Sequence, residues 1–432
     1  MHNYQAARVF YLMRFITSLA GSTIFTTYSI YYVTKLGLNP FELVLVGTTL
    51  ELTVLIFESV TGVIADTYSR KLSVIIGMFI LGAGFTFEGS IIWLSELAHA
   101  VPVFIWVMLS QILFGLGWTF VSGADTAWIV DETSESSAGA VFLRAKRISL
   151  AGSLLGIGIS VGLSMLAANL PYLAGGLMYF LLGFMLMRWM KETGFTRKPR
   201  SQHSSHFQEM ASTWKSGAKV VARSPLLLTL VFITLFSGAA SEGYDRLWEI
   251  YMIREVGFPN VGISMAVWFG VINAISTVLG LLVVGVTEKR LRMNSERAVS
   301  SAMFLLTFLR IAGMISLFFA PGFSWALVSV LLIGVVVAVS EPIYTTWLNM
   351  NIESKNRATI LSMVSQSDAM GQTAGGPVVG WIGSRISIRA SMVAASVLLL
   401  PILGLFGRLV RRSKGISIGA PVAESDERCS RE

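Results

Sequence analysis

Twelve times the chain returns to an apolar stretch of about 20 residues or more, the length that crosses a hydrocarbon core about 30 Å thick. The stretches are residues 10–34, 43–66, 72–96, 101–125, 143–168, 171–190, 225–252, 261–287, 299–320, 323–349, 357–384 and 389–411. Turn residues and charges separate them, as at Asn39-Pro40, Ser69-Arg70-Lys71 and Pro321-Gly322. Backbone polar groups in lipid must be satisfied internally, and runs of this length do so as helices. The expected fold class is therefore an all-α integral membrane protein with twelve transmembrane helices. The first run is too long for a signal-peptide core and lacks a small-residue cleavage site, so it reads as a retained helix.

Composition agrees where it bears on this. Charged residues make up 13% of the chain and mean hydropathy is +0.68, whereas soluble domains carry roughly 25% charge. One cysteine, Cys429 in the polar tail, and four histidines exclude a disulfide framework and argue against a metal site. The net charge of +8 raises the question of a nucleic-acid partner, and its distribution answers it. With the N-terminus in the cytoplasm and span ends counted with the loops, 26 of the 33 Lys and Arg fall on the cytoplasmic side. Lys35, Arg254, Arg385 and Arg389 fall outside, and Arg14, Arg246 and Arg310 lie within spans. This is the positive-inside bias. It predicts a multi-pass protein of a bacterial cytoplasmic membrane, with both termini cytoplasmic, lipid as its surroundings and no nucleic-acid partner.

Similar residues recur at an offset of 219. Trp128 matches Trp347, Gly152 and Gly156 match Gly371 and Gly375, and Lys71 matches Arg290. Six spans per half and a common offset point to a duplicated bundle, two six-helix halves related by a pseudo-two-fold axis. Such parallel repeats place a substrate site between the halves near mid-membrane. The expected division is 1–190 for the first half, 191–224 for a cytoplasmic linker, 225–412 for the second half and 413–432 for a disordered tail. In the linker, Phe207, Met210, Trp214 and Val221 share one helical face, the pattern of an amphipathic surface helix or of a plain helical linker.

The segment Gly62-Val-Ile-Ala-Asp66-Thr-Tyr-Ser-Arg70-Lys71 resembles the G-x-x-x-D-x-x-G-R-K/R loop motif of the major facilitator superfamily, with Ser69 at the second glycine. Asp66 closes a helix whose dipole disfavours an anion there, so it needs a nearby cation such as Arg70 or Lys71. The resemblance implies a cytoplasmic latch built on Gly62, Asp66, Arg70 and Lys71, with Asp125 as a second acid at the end of span four. The resemblance extends over all twelve spans and is closest to bacterial drug-efflux members. Gly371-Gln-Thr-Ala-Gly375-Gly376-Pro377-Val-Val-Gly380 is similar to their glycine-proline helix motif. Two features depart from that group: Gly152-Ser-Leu-Leu-Gly156-Ile lacks the proline of the span-five motif, and Gln111 stands near the usual span-four arginine.

Ionisable side chains within spans are costly and point to function. Glu51 and Glu58 lie seven residues apart on one face of span two, and Glu58 and Arg14 could pair. Asp368 shares its face with Ser365 and Gln372, and Glu341 precedes Pro342. Glu242, Asp245, Arg246 and Glu249 occupy two turns of span seven, as a substrate contact or an outer gate. Glu51, Glu58, Asp368, Glu341 and Arg14 are the proton-coupling or substrate candidates. Glu88 and Arg310 fall in spans that are peripheral in the superfamily and read as structural. A desolvated carboxyl group can load and release a proton near neutrality, which suits competition between a proton and a cationic substrate.

No phosphate loop, HExxH or cysteine cluster is present, so neither ATP hydrolysis nor another enzymatic activity is expected. The expected function is secondary active transport by alternating access, with proton-coupled efflux of amphipathic or cationic drug-like compounds. Uptake of a small metabolite by proton symport is the alternative, and a sensor on the same scaffold is a further one. The expected molecule is a monomer that needs no cofactor beyond a proton gradient.

Overall fold

The structure, a computed structural model, describes residues 2–133, 135–195, 221–222, 225–291, 295–350 and 357–418. The linker helix expected over 207–221, apart from Val221, and most of the tail lie outside them. Among the described residues twelve helices follow the twelve apolar runs, all but the last of them long, and no strand occurs. The first half comprises α1 (His2–Phe25), α2 (Pro40–Thr67), α3 (Arg70–Leu97), α4 (Val103–Val121), α5 (Glu135–Leu166) and α6 (Leu170–Trp189). The second comprises α7 (Pro225–Tyr251), α8 (Met265–Arg290), α9 (Glu296–Phe318), α10 (Phe323–Met350), α11 (Arg357–Arg385) and α12 (Ile388–Leu398). A further helix, Leu400–Ile418, continues α12 beyond Leu399. It carries helical structure to Ile418, past the expected start of the tail at 413.

Eleven helices are long and apolar enough to cross a membrane by composition alone. The exception, α11, is 29 residues long, about 43 Å at 1.5 Å per residue, so it spans by length. Ser362, Ser365, Gln366, Ser367, Asp368, Gln372 and Thr373 lower its hydropathy. It packs against α7 and α2, and Gln366 and Ser367 are buried. Part of the polar content of α11, Gln366 and Ser367, therefore faces protein, while Ser362 and Ser365 are exposed.

Local chemistry sets the helix ends. Pro40 opens α2 behind Asn39, whose side chain caps the first turn while Glu42 returns to the Asn39 N–H at 2.9 Å. Ser69 caps α3 by accepting from the Leu72 N–H at 2.9 Å. That explains the departure from the loop motif: Ser69 has an extended backbone, φ −175°, so the position needs a cap and not a glycine.

The repeat is visible in the packing. In the first half, Gly152 and Gly156 bring α5 against the α1 backbone, where an added Cβ would stand 2.6 Å from the Phe15 carbonyl and 2.5 Å from that of Leu19. In the second half, Gly371 meets the Leu235 carbonyl and Gly375 meets Ala239, joining α11 to α7. Small residues allow this close backbone approach in membranes. Trp128 and Trp347 are both almost fully buried. The sequence reading missed a further echo: α1 and α7 both run into a π-helical turn, Tyr31–Lys35 and Met252–Val256. Each turn is followed by a glycine at positive φ, Gly37 (70°) and Gly257 (73°).

The bundle has two ends, named here for α2, which starts at Pro40 and finishes beside Arg70. At the Pro40 end the halves meet. Val44 and Thr48 of α2 lie against Gly380 and Gly376 of α11, and Val161 of α5 against Gly270 of α8. Arg254 donates to the Leu38 carbonyl at 3.1 Å. Towards the Arg70 end, by contrast, Ile56, Phe57 and Val60 of α2 are exposed, and an added Cβ at Gly62 would meet nothing within 4 Å.

Candidate functional site

Five carboxyl groups and two guanidinium groups gather between the halves. Glu242, Asp245, Arg246 and Glu249 come from α7, Asp368 from α11, Arg310 from α9 and Glu51 from α2. Arg246 Nε donates to Glu242 Oε1 at 3.0 Å, one turn away. Glu242 is 3% exposed. The pair lies directly against Gly47 of α2, where a Cβ would overlap the Glu242 carboxyl and reach within 2.6 Å of Arg246 Nε. Gly47 is thus the position at which one half admits a charged pair of the other. Tyr28, just beyond α1, donates to the Asp245 carbonyl at 3.1 Å, so the first half touches this stretch of α7 twice.

Asp368 accepts from Gln372 Nε2 at 2.8 Å. Glu51 lies within electrostatic reach of Glu242, Arg246 and Asp368. Asp245 is exposed and, like Asp368, feels Arg310. The Nε of Arg310 is buried with no hydrogen-bond partner among the described residues. Arg310, expected to be a peripheral structural residue, therefore turns its charge towards the acids. Its position was not legible because α9 itself packs on α10, α12 and Leu400–Ile418, and only the long arginine stem brings the charge inward.

The remaining candidates lie apart from this cluster. Glu58 does not pair with Arg14; Arg14 binds Asp125 instead, at 3.2 Å. Glu341 is exposed, with no ion pair among the described residues. Pro377 lies inside α11, between Gly376 and Gly380, which face α2.

At the Arg70 end the charge cluster differs from the expected latch in one partner. Arg70 pairs with Asp66 at 3.5 Å, but its second acid is Asp131, not Asp125, and it also donates to the Ala127 carbonyl at 3.0 Å. The reason is a break in span four. Gly123, at φ +74°, ends α4, and a short helix, Ala124–Glu132, restarts beyond it. Asp125 falls in the first turn of that helix, where the dipole favours an anion, and faces Arg14. Asp131 lies six residues on, about 9 Å along the axis, beside Arg70. The Glu192 carboxylate accepts from the Ser69 hydroxyl at 2.6 Å and from the Arg70 and Lys71 N–H groups at 2.7 and 3.1 Å. Replacing Asp131 with asparagine should destabilise the protein by about 1.5–3 kcal/mol, the worth of a hydrogen bond to a charged group. Thermal unfolding of the purified protein, with Asp125→Asn alongside, checks it. An unchanged melting temperature for Asp131→Asn would remove Asp131 from the cluster.

Comparison with known proteins agrees with this architecture. The family model for the Major Facilitator Superfamily matches residues 10–348. The chain is 23% identical over 405 residues to YxaM, an uncharacterized MFS-type transporter of Bacillus subtilis strain 168, covering 91% of this chain and 94% of YxaM. It is also 23% identical over 363 residues to the quinolone resistance protein NorA of Staphylococcus aureus strain MSSA476, covering 81% and 82% of the two chains. Among solved structures, the nucleoside transporter NupG superposes with a TM-score of 0.68 at 13% identity, covering 95% of this chain and 99% of that one. A bacterial homolog of the human lysosomal transporter Spinster, in an inward-facing and unoccupied conformation, gives 0.69 at 12% identity, covering 96% and 98%. At these identities the two structures speak for the fold. This chain, a multi-pass membrane transporter and not an enzyme, belongs to the Major Facilitator Superfamily.

Proposed function

We propose that the protein exports amphipathic cations in exchange for protons, with the Arg70 end in the cytoplasm. The observation that carries this reading is the imbalance of charge between the halves: among the described residues, Glu51, Glu242, Asp245, Glu249 and Asp368 face only Arg246 and Arg310. Such a site attracts a cation, and protonation of the same acids releases it. Aromatic rings adjoin the acids through Tyr28, which donates to the Asp245 carbonyl. Phe25 stacks on Phe114 at 5.7 Å and packs edge-on against Tyr28 at 6.4 Å. Phe25 and Trp118 are 39% and 49% exposed. Acids with aromatic rings nearby suit a flat organic cation, because aromatic faces attract positive charge.

The joined Pro40 end and the exposed α2 surface towards the Arg70 end support a cytoplasm-facing state. The similarity to NorA, named for quinolone resistance, supports the direction of transport. Transport would draw on the proton gradient and need no bound cofactor.

The test is reconstitution in proteoliposomes with an imposed pH gradient, using ethidium as the probe. Ethidium should move against the proton flow, and collapsing the gradient should stop it. A fixed conductance, or ethidium moving together with protons, would overturn the exporter reading; the second result would establish uptake by symport.

A further inference from the structure

Glu88 of α3 lies outside the acid cluster and is 1% exposed. Among the described residues no Lys, Arg or His forms an ion pair with it. Its surroundings come from three elements. From α4, the Ser110 hydroxyl and Gln111 Nε2 (3.3 Å) donate to Oε2. From the π turn after α1, Tyr31 donates to the Glu88 backbone carbonyl at 2.9 Å, and Gln111 Nε2 also reaches the Tyr32 hydroxyl at 3.2 Å. From α6, Tyr172 stacks on Tyr32 with ring centroids 6.0 Å apart. Glu88 Oε1 is buried with no hydrogen-bond partner among the described residues, and the buried Tyr172 hydroxyl lies beside that of Tyr32. The groups facing Glu88 are therefore two neutral side chains and three tyrosines. An uncompensated carboxylate is costly in such a pocket: the donors from Ser110, Gln111 and Tyr32 are all neutral, Oε1 is orphaned, and no cation among the described residues balances the charge.

The segment that carries Tyr31 and Tyr32 also carries Tyr28. It is set off from α1 by Thr26 and Thr27, as Tyr28–Ile30 followed by the π turn Tyr31–Lys35, and π turns recur at functional sites. On one side Tyr28 holds the Asp245 carbonyl of α7, and on the other Tyr32 sits at the Glu88 pocket. Arg246 lies within electrostatic reach of both Tyr28 and Tyr32. One short element thus touches the joint between the halves and the buried acid together.

We propose that Glu88 is a second proton-exchanging carboxyl group of this transporter, coupled to opening of the Pro40 end through Tyr32 and the Tyr28–Lys35 segment. When the halves part, Tyr28 leaves Asp245, the segment shifts and water reaches the pocket. A proton from that outer water then bonds to the Glu88 carboxylate. When the halves close and the site faces the Arg70 end, the carboxyl O–H bond breaks, the proton leaves to water on that side, and Gln111 and Ser110 hold the carboxylate.

The proton site does not depend on the exporter reading; only its part in coupling does. It is tested without substrate, by infrared titration of the reconstituted protein. A carbonyl-stretch band of a protonated carboxyl group should titrate in the wild type, vanish in Glu88→Gln and return, shifted, in Glu88→Asp. Tyr32→Phe should keep the band but move its midpoint by at least about one pH unit, a tenfold change in the exchange equilibrium. Identical wild-type and Glu88→Gln titrations would overturn the site, and an unmoved midpoint in Tyr32→Phe would overturn the link. With ethidium and a pH gradient, Glu88→Gln should lose at least about tenfold of uphill transport while retaining counterflow; undiminished uphill transport would overturn the coupling. If the wild type moves no ethidium, the exporter reading fails alone and the infrared result stands.

Discussion

Replacing Gly47 with valine should force the Pro40 end apart and reduce transport. The Glu242 carboxyl occupies the space where a Cβ would stand at residue 47, and Arg246 Nε lies 2.6 Å from that point. Neither can retreat easily. Glu242 is 3% exposed and tied to Arg246, while Gly376 of α11 lies against its stem. Overpacking of this kind costs about 1–3 kcal/mol. The strain acts across the contact between halves, so it should be relieved by opening that contact and not by unfolding. An equilibrium shifted by about 1–3 kcal/mol changes by about 5–150-fold. In a Cys429→Ser background, a cysteine at Ser29, which is buried beside this contact, should label faster with a water-soluble thiol reagent by a factor in that range. Uphill transport should fall by a similar factor, because the closed state becomes the costly one. Labelling and transport both within twofold of the parent would mean that Gly47 is not a contact point of the closing movement.

What the sequence made legible was what depends on spacing along one helix. The twelve runs, the glycine pairs at offset 219 and the Asp368–Gln372 contact all follow from helical period, and each has its counterpart in the fold. Contacts that depend on a break or on three helices at once did not show. Asp125 was the apparent second acid because span four read as one helix. The break at Gly123 re-aims the chain and puts Asp131 beside Arg70. Arg310 read as peripheral because its helix is peripheral, whereas its side chain is not. Glu88 read as a lone structural acid because its neighbours come from Tyr31, Tyr32, Ser110, Gln111 and Tyr172, positions with no mutual periodicity.

The second large effect is expected at the Glu242–Arg246 pair. Removing one member of a buried ion pair leaves an uncompensated charge and costs about 3–5 kcal/mol, whereas replacing both by neutral groups of similar size is often close to neutral. Arg246→Leu should therefore lower the melting temperature sharply, since it leaves Glu242 buried beside Gly47 with Glu51 and Asp368 nearby. Glu242→Gln should cost less, because Arg246 still has the exposed Asp245 within electrostatic reach. The double variant Glu242→Gln/Arg246→Leu should recover most of the stability lost in Arg246→Leu, giving a favourable coupling energy in the double-mutant cycle. Transport separates structure from coupling. If the pair only holds the Pro40 end closed, the double variant transports ethidium again, because neutral side chains fill the same space. If Glu242 is one of the acids that exchange protons for the cation, the double variant folds, binds and carries out counterflow, yet fails to move ethidium against its gradient. The proposed export mechanism requires this second outcome. An Arg246→Leu protein that melts with the wild type and still transports uphill would take the pair out of both roles and leave Glu51, Asp245, Glu249 and Asp368 as the remaining acids of the exchange.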